Sequence, residues 1–84
     1  MITEEQLIEK AMSGLSNNVA YFIPNTKIHI WEGISSSQWF VENEETGLLL
    51  SGDGNWKHYL NNGIKSFNSL YEALQAYNNY LTKK

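Results

Sequence analysis

Two histidines, His29 and His58, are the only side chains in this 84-residue sequence that titrate unaided near neutral pH, so catalysis or metal binding would have to start with them. A metal site needs two or three further ligands converging on one point. His29 and Glu32 are three apart in a segment that reads as a strand, which turns them to opposite faces. Cysteine is absent, which removes thiolate metal ligands, disulfides and a cysteine nucleophile together. Ser35, Ser36 and Ser37 could in principle pair with either histidine, but there is no G-x-S-x-G elbow, and a chain of this length has little room for a pocket that excludes water.

The stretch Ser51-Gly52-Asp53-Gly54-Asn55 invites comparison with ion-binding and phosphate-binding loops. Counting Asp53 as the first calcium ligand places Ile64 where a bidentate glutamate belongs, and no lysine-serine or lysine-threonine pair follows the glycines. A tight turn between strands explains it better, because glycine and asparagine reach positive φ at little cost. The chemistry-bearing residues therefore point to a protein that is not an enzyme and needs no metal or cofactor.

Composition narrows the remaining classes. With 42% apolar and 18% charged residues, the sequence has the material for one core, and residues 1–84 are read as a single α+β domain. The formal charge is −3, and all 6 basic residues are lysines: Lys10, Lys27, Lys57, Lys65, Lys83 and Lys84. Phosphate recognition favours clustered Lys and Arg with bidentate arginine contacts, so nucleic acid is disfavoured as the main ligand. The acidity is also too mild for a DNA mimic. The uncharged stretch from Ala11 up to Lys27 is broken by Ser13, Asn17, Asn18 and Asn25 and reads as neither a signal peptide nor a membrane segment. A soluble, cytoplasmic protein without membrane contact is expected.

The elements that position these residues begin with helix-entry chemistry. Thr3 as N-cap, Gln6 three residues on, and Ile2 with Leu7 as a hydrophobic staple predict a helix from Glu4 to about Ser13, ended by Gly14. Ser69 and Glu72 repeat the capping pattern. Leu70, Leu74, Tyr77 and Leu81 recur on one stripe and predict a second helix from Leu70 to about Thr82. Between the two, the period switches to two. Strands are expected over Val19 to Ile23, Lys27 to Glu32, Gln38 to Asn43 and Leu48 to Ser51, with a fifth over Trp56 to Leu60. Pro24 and Asn25 suit the centre of a type I turn. The expected architecture is an N-terminal helix, a four- to five-stranded antiparallel meander and a C-terminal helix, with both helices packed on one sheet face.

That layout leaves one sheet face open. Ile28 with Ile30, Trp39 with Val41, Leu48 with Leu50 and Trp56 with Leu60 take the helix side, so alternation sends the intervening residues outward. The outer face then reads Trp31, His29, Phe40, Leu49 and Tyr59, rimmed by Lys27, Glu42 and Lys57. So many large side chains together suggest a binding surface, and another protein, or a second copy forming a homodimer, is the expected partner. Small chains of this composition are common among bacteriophage and mobile-element inhibitors and regulators. The alternative is a single-stranded nucleic-acid binder that stacks bases on Trp31, Phe40 and Tyr59. The shortage of basic residues weighs against it.

Overall fold

The computed structural model of the chain describes residues 2–11, 19–33, 38–58 and 66–83. Six strands form one antiparallel sheet in sequential order: β1 (Ile8–Ala11), β2 (Val19–Phe22), β3 (Ile28–Glu32), β4 (Trp39–Asn43), β5 (Leu49–Leu50) and β6 (Trp56–Lys57). One helix, α1 (Leu70–Thr82), packs against β3 and β4.

The expected N-terminal helix is not formed. The Thr3–Gln6 chemistry closes only one 3-10 turn over Glu4–Gln6, in which Thr3 N–H donates to Gln6 Oε1 at 2.8 Å and Gln6 N–H to the Thr3 carbonyl at 3.0 Å. At Leu7 the backbone is already extended, with φ −74° and ψ 141°. Residues 8–11 then pair antiparallel with β2, Ile8 opposite Phe22 and Ala11 opposite Val19. Met12 and Ser13, the end of the expected helix, lie outside the described residues. A cap lowers the cost of a first turn but does not carry a short helix further, whereas pairing with a neighbouring strand satisfies the backbone of the segment at once. Ile2 and Leu7 still pack against the core. Among the described residues one helix, not two, therefore covers the sheet, and the additional strand raises the sheet to six.

Hairpin turns set the register. Thr26 N–H donates to the Ile23 carbonyl at 3.3 Å around Pro24 and Asn25, and the Asn25 φ of 64° makes this turn type II rather than type I. Asn43 to Leu48 closes around Gly47, whose φ is 74°. Ser51 and Asn55 flank a three-residue loop ending in Gly54 at φ 88°, the geometry of a type I turn followed by a left-handed residue. The last strand is shorter than expected and ends at Lys57; Tyr59 and Leu60 lie outside the described residues.

The core lies between β3, β4, β5 and α1. Ile23, Ile28, Ile30, Val41 and Leu50 meet Ala73, Leu74 and Tyr77, with Trp39 and Trp56 packed at the margin. Ser69 Oγ accepts the Glu72 N–H at 3.1 Å, and Glu72 Oε2 accepts the Asn68 N–H at 2.9 Å, so the second capping signal starts a full helix. Leu81 departs from its expected stripe and is 38% exposed. β5 pairs with β4 only at Glu42, and Phe67 takes the other end of that edge by exchanging backbone hydrogen bonds with Trp39 at 2.7 and 2.9 Å. The buried Asn78 side chain receives the Ile2 N–H at 3.0 Å and donates to the Ile2 carbonyl at 2.8 Å, fastening the N-terminal segment to α1.

Candidate interaction surface

The register fixes which side chains share the face opposite α1. His29 lies opposite Phe22 on one side and Glu42 on the other; Trp31 lies between Ala20 and Phe40; Glu42 lies opposite Leu49, and Leu49 opposite Lys57. Because the strand period is two, these residues stand on one side while Ile30, Val41 and Leu50 stand on the other. His29, Trp31, Phe40 and Leu49 are thus brought together as expected from alternation. Tyr59 lies outside the described residues.

The face is less open than alternation alone implies. His29 and Leu49 are each 7% exposed and Ala20 is 3% exposed, so these three form a floor rather than a surface. Trp31 and Phe40 are half-buried and stack on each other with centroids 4.7 Å apart and planes 30° apart. Phe22 stacks on His29 at 5.1 Å. Paired rings on adjacent strands lower each other's exposure, which the sequence pattern does not show until the register is known.

A polar network lies along the rings. Trp31 Nε1–H donates to Glu42 Oε1 at 3.0 Å, and the same oxygen is 3.4 Å from His29 Nε2. On its other side, His29 Nδ1 is 3.5 Å from Glu44 Oε1 and has no hydrogen-bond partner among the described residues. The Glu42 side chain is 29% exposed and that of Glu44 is 47% exposed. At the rim, Lys57 Nζ is 2.9 Å from Asp53 Oδ2. The Lys57 hydrogen bond, helped by the Asn55 backbone N–H, holds the Asp53 carboxyl at about 2, below its ordinary 3.8. The lysine at this end of the face is therefore committed to an internal partner.

Glu44, Phe22 and Ala20 are parts of this surface that sequence reasoning missed. The alternation of Val19 to Phe22 could have placed Ala20 and Phe22 on one face, but not beside His29 and Trp31 without the register. Glu44 follows the last residue of β4, where alternation no longer applies. Among the described residues, no three His, Asp or Glu side chains converge to hold a metal ion. His58 is exposed just past β6, and Ser35 to Ser37 lie outside the described residues. No helix among the described residues is long and apolar enough to cross a membrane.

A groove of ≈ 590 Å³ opens between the N-terminal turn and α1, lined by Ile2, Thr3, Tyr71, Leu74 and Asn78 among others. Its buried polar group, Asn78, is engaged by Ile2, and the Tyr71 hydroxyl accepts a hydrogen bond from Gln75 at 2.6 Å. Compared with protein-family models, curated proteins and solved structures, the chain matches none.

Proposed function

We propose that this chain is a non-enzymatic interaction module that takes a protein partner on the sheet face opposite α1, anchored by Trp31 and Phe40. The observation that carries the reading is the stacked pair itself. Two large rings stand on adjacent central strands outside the core packed against α1, and both keep part of their surface. Aromatic anchors on a rigid support, placed over a floor that excludes water, are the usual source of interface energy. His29 and Leu49 contribute as that floor, beneath and beside the rings. A module without chemistry of its own acts by occupying its partner, as an inhibitor or regulator does.

The nucleic-acid reading is weakened by the same geometry. Bases stacked on Trp31 and Phe40 would bring phosphates toward Glu42 and Glu44, while Lys57 is already paired with Asp53. The test is a parallel capture from cell lysate with the immobilised wild type, Trp31→Ala and Tyr71→Ala, alongside a gel shift with a single-stranded oligonucleotide at low salt. Proteins held by wild type and Tyr71→Ala but lost from Trp31→Ala are the expected result. Equal retention by Trp31→Ala, or tight oligonucleotide binding, overturns the proposal.

A further inference from the structure

We infer that the partner presents a guanidinium group, that is, an arginine side chain, to the Trp31–Phe40 pair and the Glu42 carboxylate beside it, with Glu44 across His29 adding negative charge; the inference rests on the protein-binding reading above. Donors are in short supply around the two carboxylates. Glu42 and Glu44 flank His29 at 3.4 and 3.5 Å, and an imidazole has at most two N–H groups to offer the four carboxylate oxygens. Trp31 Nε1–H supplies a further donor, but to the same Glu42 Oε1 that faces His29. Glu42 Oε2 takes no hydrogen bond from the described residues, and His29 Nδ1, on a side chain only 9% exposed, is left without a hydrogen-bond partner against Glu44. Two partly exposed carboxylates that share one buried imidazole are completed by a ligand that brings donors and positive charge to their open oxygens.

Shape favours the same group. An aromatic pair next to a carboxylate suits a planar cation, which can lie against a ring while directing N–H groups at the carboxylate in its own plane. The Trp31–Glu42 hydrogen bond holds ring and carboxylate in register, so both contacts are organised before the partner arrives. Lysine offers a compact, strongly hydrated charge and fits such a pair less well. Of the two rim lysines, Lys57 is tied to Asp53 and so competes less for the carboxylates. The net charge of −3 further favours approach by a cationic segment.

The test is an NMR titration of the Trp31 indole N–H with Nα-acetylarginine amide, repeated with the lysine and glutamate analogues and with an eight-residue oligothymidylate. Wild type, Glu42→Gln and Glu44→Gln are compared. Glutamine at position 42 can still accept the Trp31 N–H, so the fold should be retained, and an unchanged amide spectrum checks this. The expected result is a saturable shift with arginine, weaker with lysine and absent with glutamate. Affinity should fall about tenfold in one or both glutamine variants, as loss of a charge-assisted hydrogen bond implies. No shift with arginine, an undiminished response in both variants, or a stronger response to oligothymidylate overturns the inference. If Trp31→Ala loses its captured proteins while arginine gives no response, the guanidinium assignment fails and the protein-binding surface stands. If Trp31→Ala retains them, the surface itself is misassigned.

Discussion

The two faces of the sheet accommodate aromatic side chains by different means. Toward α1, Trp39 and Trp56 pack at the margin of a largely aliphatic cluster whose members are nearly all inaccessible, and Trp56 meets Tyr80 edge-on at 5.5 Å. On the other face, the rings pair with each other across strands, Trp31 with Phe40 and Phe22 with His29, and a carboxylate engages the indole N–H. The first arrangement depends on an element that covers the face. The second is organised within the sheet itself and leaves Trp31 and Phe40 half-buried. Stability should therefore be concentrated on the helix side and recognition on the other.

The sharpest way to break this division is to truncate one residue on each side. Leu50 is 1% exposed beneath α1, and Leu50→Ala should cost about 2–5 kcal/mol, a large fraction of what holds a small domain together. Trp31→Ala removes a half-buried ring and one hydrogen bond and should cost about 1–2 kcal/mol. Denaturant midpoints of both variants check the ranking, and a Trp31→Ala that is less stable than Leu50→Ala would reverse the roles of the faces.

Asn78 sharpens the comparison from the helix side, because its two hydrogen bonds to Ile2 are the polar contact that fastens the N-terminal segment to α1. Asn78→Ala should cost about 1–3 kcal/mol, since it leaves partly buried backbone groups without partners. Hydrogen exchange should accelerate first at Ile2 to Leu7. Ser69→Ala removes the acceptor of the Glu72 N–H and should cost about 1 kcal/mol, read as a lowered melting temperature. Thr3→Ala should move the melt less, because the turn after Thr3 is closed by the Gln6 side chain and the Thr3 carbonyl.

This contrast between Ser69 and Thr3 marks how far the sequence could be read. Both sites carry the same local signal and both form a turn. What continues α1 is the packing of Ala73, Leu74 and Tyr77 against the sheet, whereas residues 8–11 found a pairing partner in β2. A cap says where a turn begins; tertiary contact decides whether a helix follows. The alternation of Ile28 to Trp31 was legible for the same reason that depth was not. Period two assigns a side, and His29, Trp31, Phe40 and Leu49 share one. Only the cross-strand register shows that His29 lies under Phe22 and Leu49 between Glu42 and Lys57, burying two residues expected at the surface.

The smallest expected effect lies at the rim. Asp53 is held at about 2 by Lys57 and the Asn55 N–H, below its ordinary 3.8. A carboxyl depressed by folding stabilises above its unfolded value, and that contribution is lost as pH falls from about 4 through 2. A carboxyl NMR titration should give a midpoint near 2 in wild type and move toward the ordinary value in Lys57→Met, with little change in global stability because the pair is exposed.

Recognition is defined by which side chains a bound partner covers, and hydroxyl-radical footprinting reads that directly at side-chain level. In the complex with a captured protein, labelling of Trp31 and Phe40 is expected to fall sharply. Tyr71 and Leu81, 57% and 38% exposed on α1, should be labelled as in the free chain. Protection of Tyr71 and Leu81 with Trp31 and Phe40 unchanged would contradict the assignment and move recognition to the helix.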